Sequence, residues 1–403
     1  MFRFGVLGLI LLAALQAFPR QDASSISTDK PASQASTPEQ QTSTPAPTPL
    51  PTPSTVGPLQ LSPPINFEAG FLGKLSLNGA VSGIGLFQNN AVSGNDPQEG
   101  AFTNAFLFLQ KAEGWFQFFV QAGAYDLPSL GTAFYSNATA NSDLFGPVPV
   151  VFGKIVFSKN TNIVFGAFPT LLGGESTFDF QNMNIQRGLL WNQTNAVSRG
   201  VQVNQALGKL KASFSYNDGY YSNRYNWLTG ALTYTEGPHS VMLTAGGPLG
   251  STNWRSLATP IQNNSMLYDL IYTYSKNGWV IQPYVQYTDV PTNLKAGIPQ
   301  GASTWGGAIL ASRVLKKGFS LAGRWEYIGS RGTRGSNAAN LLYGPGSTAW
   351  SITLTPTYQY KKFFARTDIS FVQAGNITPG DAFGSFGTKS GQTRGVVELG
   401  FLF

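Results

Sequence analysis

The chain has 403 residues and a net charge of +7, yet only 11% of its residues are charged, against roughly 25% in an ordinary soluble protein. Aromatic residues reach 13%, while a mean hydropathy of −0.06 is too polar for a bundle of membrane helices. The sequence contains no cysteine and a single histidine, His239, which excludes disulfides and thiol nucleophiles and leaves little material for metal sites or histidine-based catalysis. We therefore predict no metal site, no cofactor and no enzymatic activity.

The first predicted element is a signal peptide over residues 1–19. Apolar residues 4–18 follow the basic Arg3, and this run is shorter than the roughly 20 residues of a membrane-spanning helix. Ala17 offers a small residue for cleavage. The sequence thus indicates secretion rather than a helical membrane anchor.

Residues 20–65 form the next segment, which is dominated by Ser, Thr, Pro and Gln. Such a composition cannot bury enough apolar surface to offset the entropy of ordering the chain. We predict a disordered tether on the periplasmic side of an outer membrane. An inert spacer and a contact with the cell wall are the two roles left open for it.

From residue 66 to residue 403 the sequence alternates strand-length segments with turns. In WSITLTPTYQY (350–360) apolar residues alternate with Ser, Thr and Gln, and this period of two over about ten residues suits a tilted strand that crosses a bilayer. Short connections such as 276–278 also alternate with long ones such as 169–197, as in bacterial outer-membrane barrels. The prediction is an all-β fold, a transmembrane antiparallel up-and-down β-barrel of about 16 strands, with 14 or 18 left open. A secreted soluble β-protein is the alternative. The predicted strands lie near 74–87, 102–110, 115–124, 149–157, 162–168, 198–205, 210–217, 226–235, 238–246, 267–275, 279–289, 303–315, 319–329, 349–360, 363–373 and 394–403.

Prolines and tryptophans add detail to this barrel. Pro283 and Pro356 lie inside predicted strands, where each removes a donor from the hydrogen-bond ladder, so we expect local bulges there. Six tryptophans near predicted strand ends fit an interfacial girdle, because indole rings prefer the membrane–water boundary. Packing inside a β-sandwich is the alternative. These tryptophans are Trp115, Trp227, Trp279, Trp305, Trp325 and Trp350.

The positions predicted to face the lumen carry charges of both signs, which favours a weak ion preference over a dedicated phosphate site. The net positive charge is poor evidence for an anion pore, since many lysines fall at the short turns. The lumen candidates are Lys154, Lys211, Arg324, Glu326, Arg366, Asp368 and Glu398.

The long connection 169–197 contains several large apolar residues, among them Phe178, Phe180 and Trp191. A fully solvated loop would not expose such side chains. We predict that this loop folds into the lumen and narrows it, with Glu175, Asp179 and Arg187 at the constriction. A loop that caps the barrel mouth is the alternative.

The signal peptide, the amphipathic strands and the terminal Phe403 resemble those of Gram-negative outer-membrane porins. The stretch VFGAFPTLLGGE…NMNIQRGLLW…SRGVQV (164–203), followed by FSYNDGYY (214–221), is similar to the OmpL-like putative β-barrel porin family. The matching positions are Asn184, Arg187, Gly188, Gly200 and Val201.

This resemblance implies an integral protein of the cell outer membrane that lets small hydrophilic solutes or ions diffuse passively and has no catalytic residues. It also implies contact with outer-membrane lipids, a homotrimer, and a barrel-assembly machinery that recognises Phe401 and Phe403. No basic–aromatic pattern of a nucleic-acid-binding protein is present. The alternative function is a plugged, surface-exposed structural or adhesion barrel.

Overall fold

The structure, a computed structural model, describes residues 57–252, 259–316 and 318–403. The predicted signal peptide and residues 20–56 of the predicted tether therefore lie outside the described residues. Within these residues, seventeen strands and two short α-helices are defined. Their bounds are β1 Ile65–Glu68, β2 Lys74–Gln88, β3 Gln98–Lys111, β4 Phe116–Tyr125, α1 Asn137–Asp143, β5 Val150–Val156, β6 Thr161–Pro169, β7 Val197–Leu207, β8 Leu210–Asn217, β9 Trp227–Glu236, β10 His239–Pro248, α2 Pro260–Asn263, β11 Met266–Lys276, β12 Trp279–Val290, β13 Ala302–Val314, β14 Phe319–Ser330, β15 Thr348–Tyr360, β16 Phe363–Gly375 and β17 Gly391–Leu402.

Strands β2 to β17 form a closed antiparallel barrel, so the predicted count of sixteen is confirmed. The ring closes where β17 pairs with β2, with Leu402 opposite Ala80. The chain leaves β17 beside the short turn between β15 and β16, where the Leu402 N–H donates to the carbonyl of Lys362 at 2.7 Å. We call this side of the barrel the short-turn end. Among the described residues, no helix is both long enough and apolar enough to cross a membrane.

The alternation of side chains in β15 shows why the strands could be predicted. Trp350, Ile352 and Leu354 are exposed on the outer face, whereas Ser351 and Thr353 point inward and are buried. Closure gives every strand two neighbours, which satisfies the backbone groups that lipid cannot bind. The polar inward face then lines the lumen.

The bulges expected at Pro283 and Pro356 are absent, and that prediction was wrong. Near each proline the ladder to one neighbouring strand is interrupted at two residue pairs and then resumes in the same register. The other neighbour pairs with the proline without interruption, so the closed barrel holds the register. A register shift occurs instead between β2 and β3, where Thr103 is the extra residue.

Five of the six tryptophans are exposed, and their position at the membrane–water boundary stays a prediction. Trp227 is the exception. It is the first residue of β9, its side chain is 1% exposed, and its indole N–H donates to the carbonyl of Asn263 at 3.2 Å. The ring packs with Leu172 and Leu267, because its position at the start of β9 faces the lumen rather than the lipid.

The connection between β6 and β7, residues 170–196, folds into the barrel, as predicted, and does not cap it. We call it the constriction loop. Phe178, Phe180 and Leu190 are at most 1% exposed, and they lie in apolar clusters together with inward-facing wall residues. The core of this protein therefore sits inside its lumen.

Residues 57–64, which we call the N-terminal strap, also pack against the barrel, and residues 65–68 pair with β2. This corrects the predicted tether over residues 57–65. The strap contains Leu59, which is completely buried, so this stretch has apolar surface to bury even though the residues before it in the sequence are polar.

Candidate pore and its constriction loop

The first anchor of the constriction loop is Arg324 on β14. Its Nη1 lies 2.7 Å from the Glu175 carboxylate and donates to the carbonyl of Gln186 at 2.7 Å. Its Nε lies 3.3 Å from Glu326 on the same strand. Glu326 in turn accepts from the backbone N–H of Leu189 at 3.0 Å. An arginine and a carboxylate from one strand thus bind both ends of the loop.

The second anchor involves β16 and β17. Arg366 lies 2.5 Å from Glu398 and 3.6 Å from Asp179 of the loop. Two residues along β16, the Asp368 carboxylate accepts the backbone N–H groups of Ile185 and Gln186 at 3.2 and 2.9 Å. All three wall side chains are at most 1% exposed.

The third anchor depends on the extra residue in β3. Because the strand gains one residue there, neighbouring positions 103 and 104 both point into the lumen, where they are buried. The Thr103 hydroxyl lies 2.5 Å from Asp126 and 3.1 Å from Asp179, and the Asn104 amide donates to Asp179 at 2.5 Å. Burial raises the pKa of the Asp126 carboxyl well above its ordinary value, and nearby Asp179 adds to the rise.

Arg187 lies at the centre of these anchors and is 0% exposed. Its guanidinium carbon lies 5.0 Å from the centre of the Trp191 ring, and among the described residues none of its guanidinium nitrogens has a hydrogen-bond partner. Burial lowers its pKa to about 10, while the charges of Asp179, Asp126 and Glu175 oppose that fall. Arg187 therefore balances the surrounding carboxylates through space.

Two cavities beside the loop share lining residues with each other. The inner cavity, of about 420 Å³, is lined by loop residues 170–177 and by wall residues that include Thr233, Ser240, Thr273 and Gln282. The outer cavity, of about 400 Å³, is lined by residues of the long connections, including Ser129, Tyr135, Tyr221 and Gln262. Trp191 and Ala196 line both cavities. The inner cavity thus leaves space for solutes along β9–β12.

The family model described as "Putative beta-barrel porin-2, OmpL-like" matches residues 74–403, the whole barrel wall. The chain belongs to this porin family. The protein is an integral outer-membrane porin that lets small hydrophilic solutes diffuse passively through a barrel narrowed by its constriction loop. No curated protein matches the sequence.

Solved outer-membrane structures share the fold of this porin at low sequence identity. The channel DcaP of Acinetobacter baumannii is 11% identical with a TM-score of 0.56, over 84% of this chain and 99% of that one. OmpF of Salmonella typhi, in a complex with daunomycin, is 13% identical with a TM-score of 0.54, over 84% and 100%. OmpT of Vibrio cholerae is 10% identical with a TM-score of 0.53, over 83% and 99%.

The porin brings most of its predicted lumen charges together. Glu175 joins Arg324 and Glu326, while Asp179 joins Arg366 and Glu398. Of the three residues predicted at the constriction, Glu175 lines the inner cavity, whereas Asp179 and Arg187 are fully buried between loop and wall.

Lys154 on β5 and Lys211 on β8 do not take part in the three anchors. Lys154 is buried and Lys211 is exposed. Sequence reasoning missed Thr103, Asn104 and Asp126, because a strict period of two places residues 103 and 104 on opposite faces. Within the described residues, no group of three or more acidic or histidine side chains could hold a metal ion.

Proposed function

We propose that solutes cross this porin through the inner cavity, along β9–β12, and through the outer cavity between the long connections, and that Trp191 forms the neck between them. The observation that supports this route is that Trp191 and Ala196 line both cavities. On β14, β16 and β3, inward side chains are bound to the loop. A continuous path for water is therefore expected along β9–β12, where the inner cavity lies.

The lining of this route favours uncharged hydrophilic solutes and a weak preference among ions. The inner cavity presents hydroxyl and amide groups, and its one charged residue, Glu175, is bound to Arg324. Among the described residues, the outer cavity adds the aromatic rings of Tyr135, Tyr220 and Tyr221 and no charged side chain. Selectivity for ions requires charge exposed along the path, and among the described residues the charged side chain that lines these cavities, Glu175, is paired with Arg324.

Planar-bilayer recording of the purified protein tests this proposal. We expect stable conductance steps, a reversal potential close to zero in a salt gradient, and swelling of liposomes in uncharged pentoses. Trp191→Ala should raise conductance by about 1.5-fold, since it widens a neck lined by one large ring. The matched control is Trp305→Ala, which removes an indole that is 60% exposed on the outer wall and should leave conductance unchanged. Absence of conductance steps would support the plugged barrel, and equal effects of both substitutions would refute the route.

We further propose that the chain is exported by its signal peptide in a Gram-negative cell, that the short-turn end faces the periplasm with the tether, and that Phe401 and Phe403 serve assembly. Phe403 stacks on Phe401 at 5.5 Å and pairs through its backbone with Gly79. Deleting Phe403 should lower the amount of inserted barrel far more than the conductance of barrels that do insert. A normal yield would contradict the assembly role.

Trimeric assembly, contact with barrel-assembly machinery and contact between tether and cell wall are further proposals. Chemical cross-linking in native outer membranes tests the first of these. A ladder that ends at three subunits is the expected result, and a single monomer band would oppose it.

A further inference from the structure

The N-terminal strap reaches the constriction loop inside the lumen. The backbone N–H of Gly57 donates to the carbonyl of Gln181 at 3.3 Å. A Cβ atom added to Gly57 would lie 2.1 Å from the carbonyl oxygen of Asn182, which is closer than real contacts allow. The strap and the loop therefore meet backbone to backbone, and only glycine fits at this point.

The middle of the strap shares a core with the loop. Leu59 is completely buried and belongs to the same apolar cluster as Phe178 and Phe180 of the loop and Phe106 and Phe108 of β3. A side chain from the strap thus fills space that the underside of the loop would otherwise leave empty.

The strap is fixed at the short-turn end as well. Gln60 and Gln359 on β15 form two reciprocal hydrogen bonds, at 2.9 and 2.7 Å. The Ser62 hydroxyl donates to the carbonyl of Leu402 at 3.0 Å, and Asn78 on β2 donates to the carbonyl of Ser62 at 3.0 Å. Polar contacts therefore hold one end of the strap to the rim of the barrel.

We infer that the N-terminal strap is a brace that enters the short-turn end of the lumen and holds the constriction loop in its narrowing position. The three anchors described above bind the loop to the strands, whereas the strap supports its underside. The conductance of the pore then depends on a segment that precedes the barrel in the sequence. The docking of the strap does not depend on the solute route proposed above, so the two fail separately.

Docking can be measured directly because the chain has no cysteine. A Gln60→Cys/Gln359→Cys protein, treated in membranes with a short bis-maleimide, should form an internal cross-link that changes its mobility after full denaturation. The control pair is Gln60→Cys/Gln202→Cys. Gln202 lies on β7, eight strands from β15 and so on the opposite wall of the sixteen-strand ring, and this pair should not cross-link. Equal cross-linking of both pairs, or of neither, would overturn the docking.

The bracing role is measured in single channels. Gly57→Ala adds a methyl group that would clash with the Asn182 carbonyl and push the strap off the loop, whereas Leu59→Ala leaves space that is refilled only partly. Each variant should raise conductance by about 1.5-fold and increase current noise. The control, Leu294→Ala, removes a leucine that is 76% exposed and should behave as the wild type. Wild-type conductance and noise in both strap variants would overturn the brace even if the cross-link forms.

If the Gly57 and Leu59 variants do not insert into membranes, a second measurement that leaves both residues unchanged still tests the brace. The Gln60→Cys/Gln359→Cys protein is recorded before and after cross-linking. Pinning the strap should lower current noise, and unchanged noise would count against the brace.

Discussion

The two halves of the lumen differ in how their walls meet the constriction loop. Along β14 and β16 the contacts include ion pairs between wall arginines and loop carboxylates, and in β3 the Asn104 amide donates to the loop carboxylate of Asp179. Along β11 and β12 the contacts given by the described residues are hydrogen bonds without an ion pair. The Asp269 carboxylate accepts the Gly173 N–H at 2.9 Å, and the Gln286 amide donates to the carbonyl of Leu190 at 2.9 Å. The comparison shows that a wide barrel can be narrowed by filling one side and leaving a neutral passage on the other.

The largest effect is expected from removing most of the constriction loop, which tests whether the loop narrows the pore. Deleting residues 173–190 should raise conductance on the order of threefold, because a sixteen-strand barrel without an inserted loop encloses a water-filled lumen. The deletion leaves Arg324 beside Glu326 and Arg366 beside Glu398, so the packed wall keeps its charge pairs. A control deletion of the exposed loop tip 333–335 should leave conductance as it is. Unchanged conductance after the larger deletion would mean that the loop does not narrow the pore.

Breaking one buried charge contact should destabilise the packed half. Arg324→Met leaves Glu175 and Glu326 buried without their cation, which should lower the free energy of unfolding by about 3–5 kcal/mol. Urea unfolding of the barrel in lipid vesicles measures this change. Lys209→Met removes a cation from an exposed pair with Glu236 and should have hardly any effect. Equal losses in the two variants would show that the packed half does not depend on this pairing.

A charge placed in the open half should change selectivity rather than stability. Thr233→Lys adds a cation to the inner cavity and should shift the reversal potential toward anions, since charge exposed along a path sets its ion preference. Thr233→Val changes the same position without charge and should keep the wild-type potential. A Thr233→Lys barrel that inserts and keeps the wild-type reversal potential would show that β9 is not part of the open path.

The smallest effect concerns the pH dependence of the packed half. Because burial raises the pKa of Asp126 above its ordinary 3.8, the folded protein keeps a proton there at pH values where the unfolded chain has lost it. Stability should therefore fall as the pH rises from about 4 through the raised pKa. Asp126→Asn should flatten this part of the stability curve while keeping an acceptor for Thr103. Parallel curves for variant and wild type would contradict the assignment.

The strands and the inward loop could be predicted because each depends on the residues of its own segment. The alternation in β15 needs no partner, and Phe178, Phe180 and Trp191 are too apolar for an exposed loop. The charge pairs could not be predicted, because Arg324 and Glu175 come together only when the loop packs against β14 rather than against another strand, and its sequence does not specify that choice. Trp227 was placed wrongly because a strand end does not reveal which face it presents. The role of Leu59 was missed because residues 20–65 were predicted to be disordered from their high content of Ser, Thr, Pro and Gln, and a single leucine does not change that composition.

At Thr103 the alternation of outward and inward side chains along β3 shifts by one residue. On one side of it Phe102 faces outward, and on the other side Phe106 and Phe108 face inward and carry the aromatic core. Removal of this one residue would leave a regular alternation, in which Phe102 still faces outward and Asn104, Phe106 and Phe108 still face inward. The extra residue therefore adds a second polar side chain to the lumen, beside that of Asn104, without turning the rest of the strand. A deletion of one codon would thus remove the Thr103 hydroxyl from Asp126 and Asp179 while the aromatic core keeps its face.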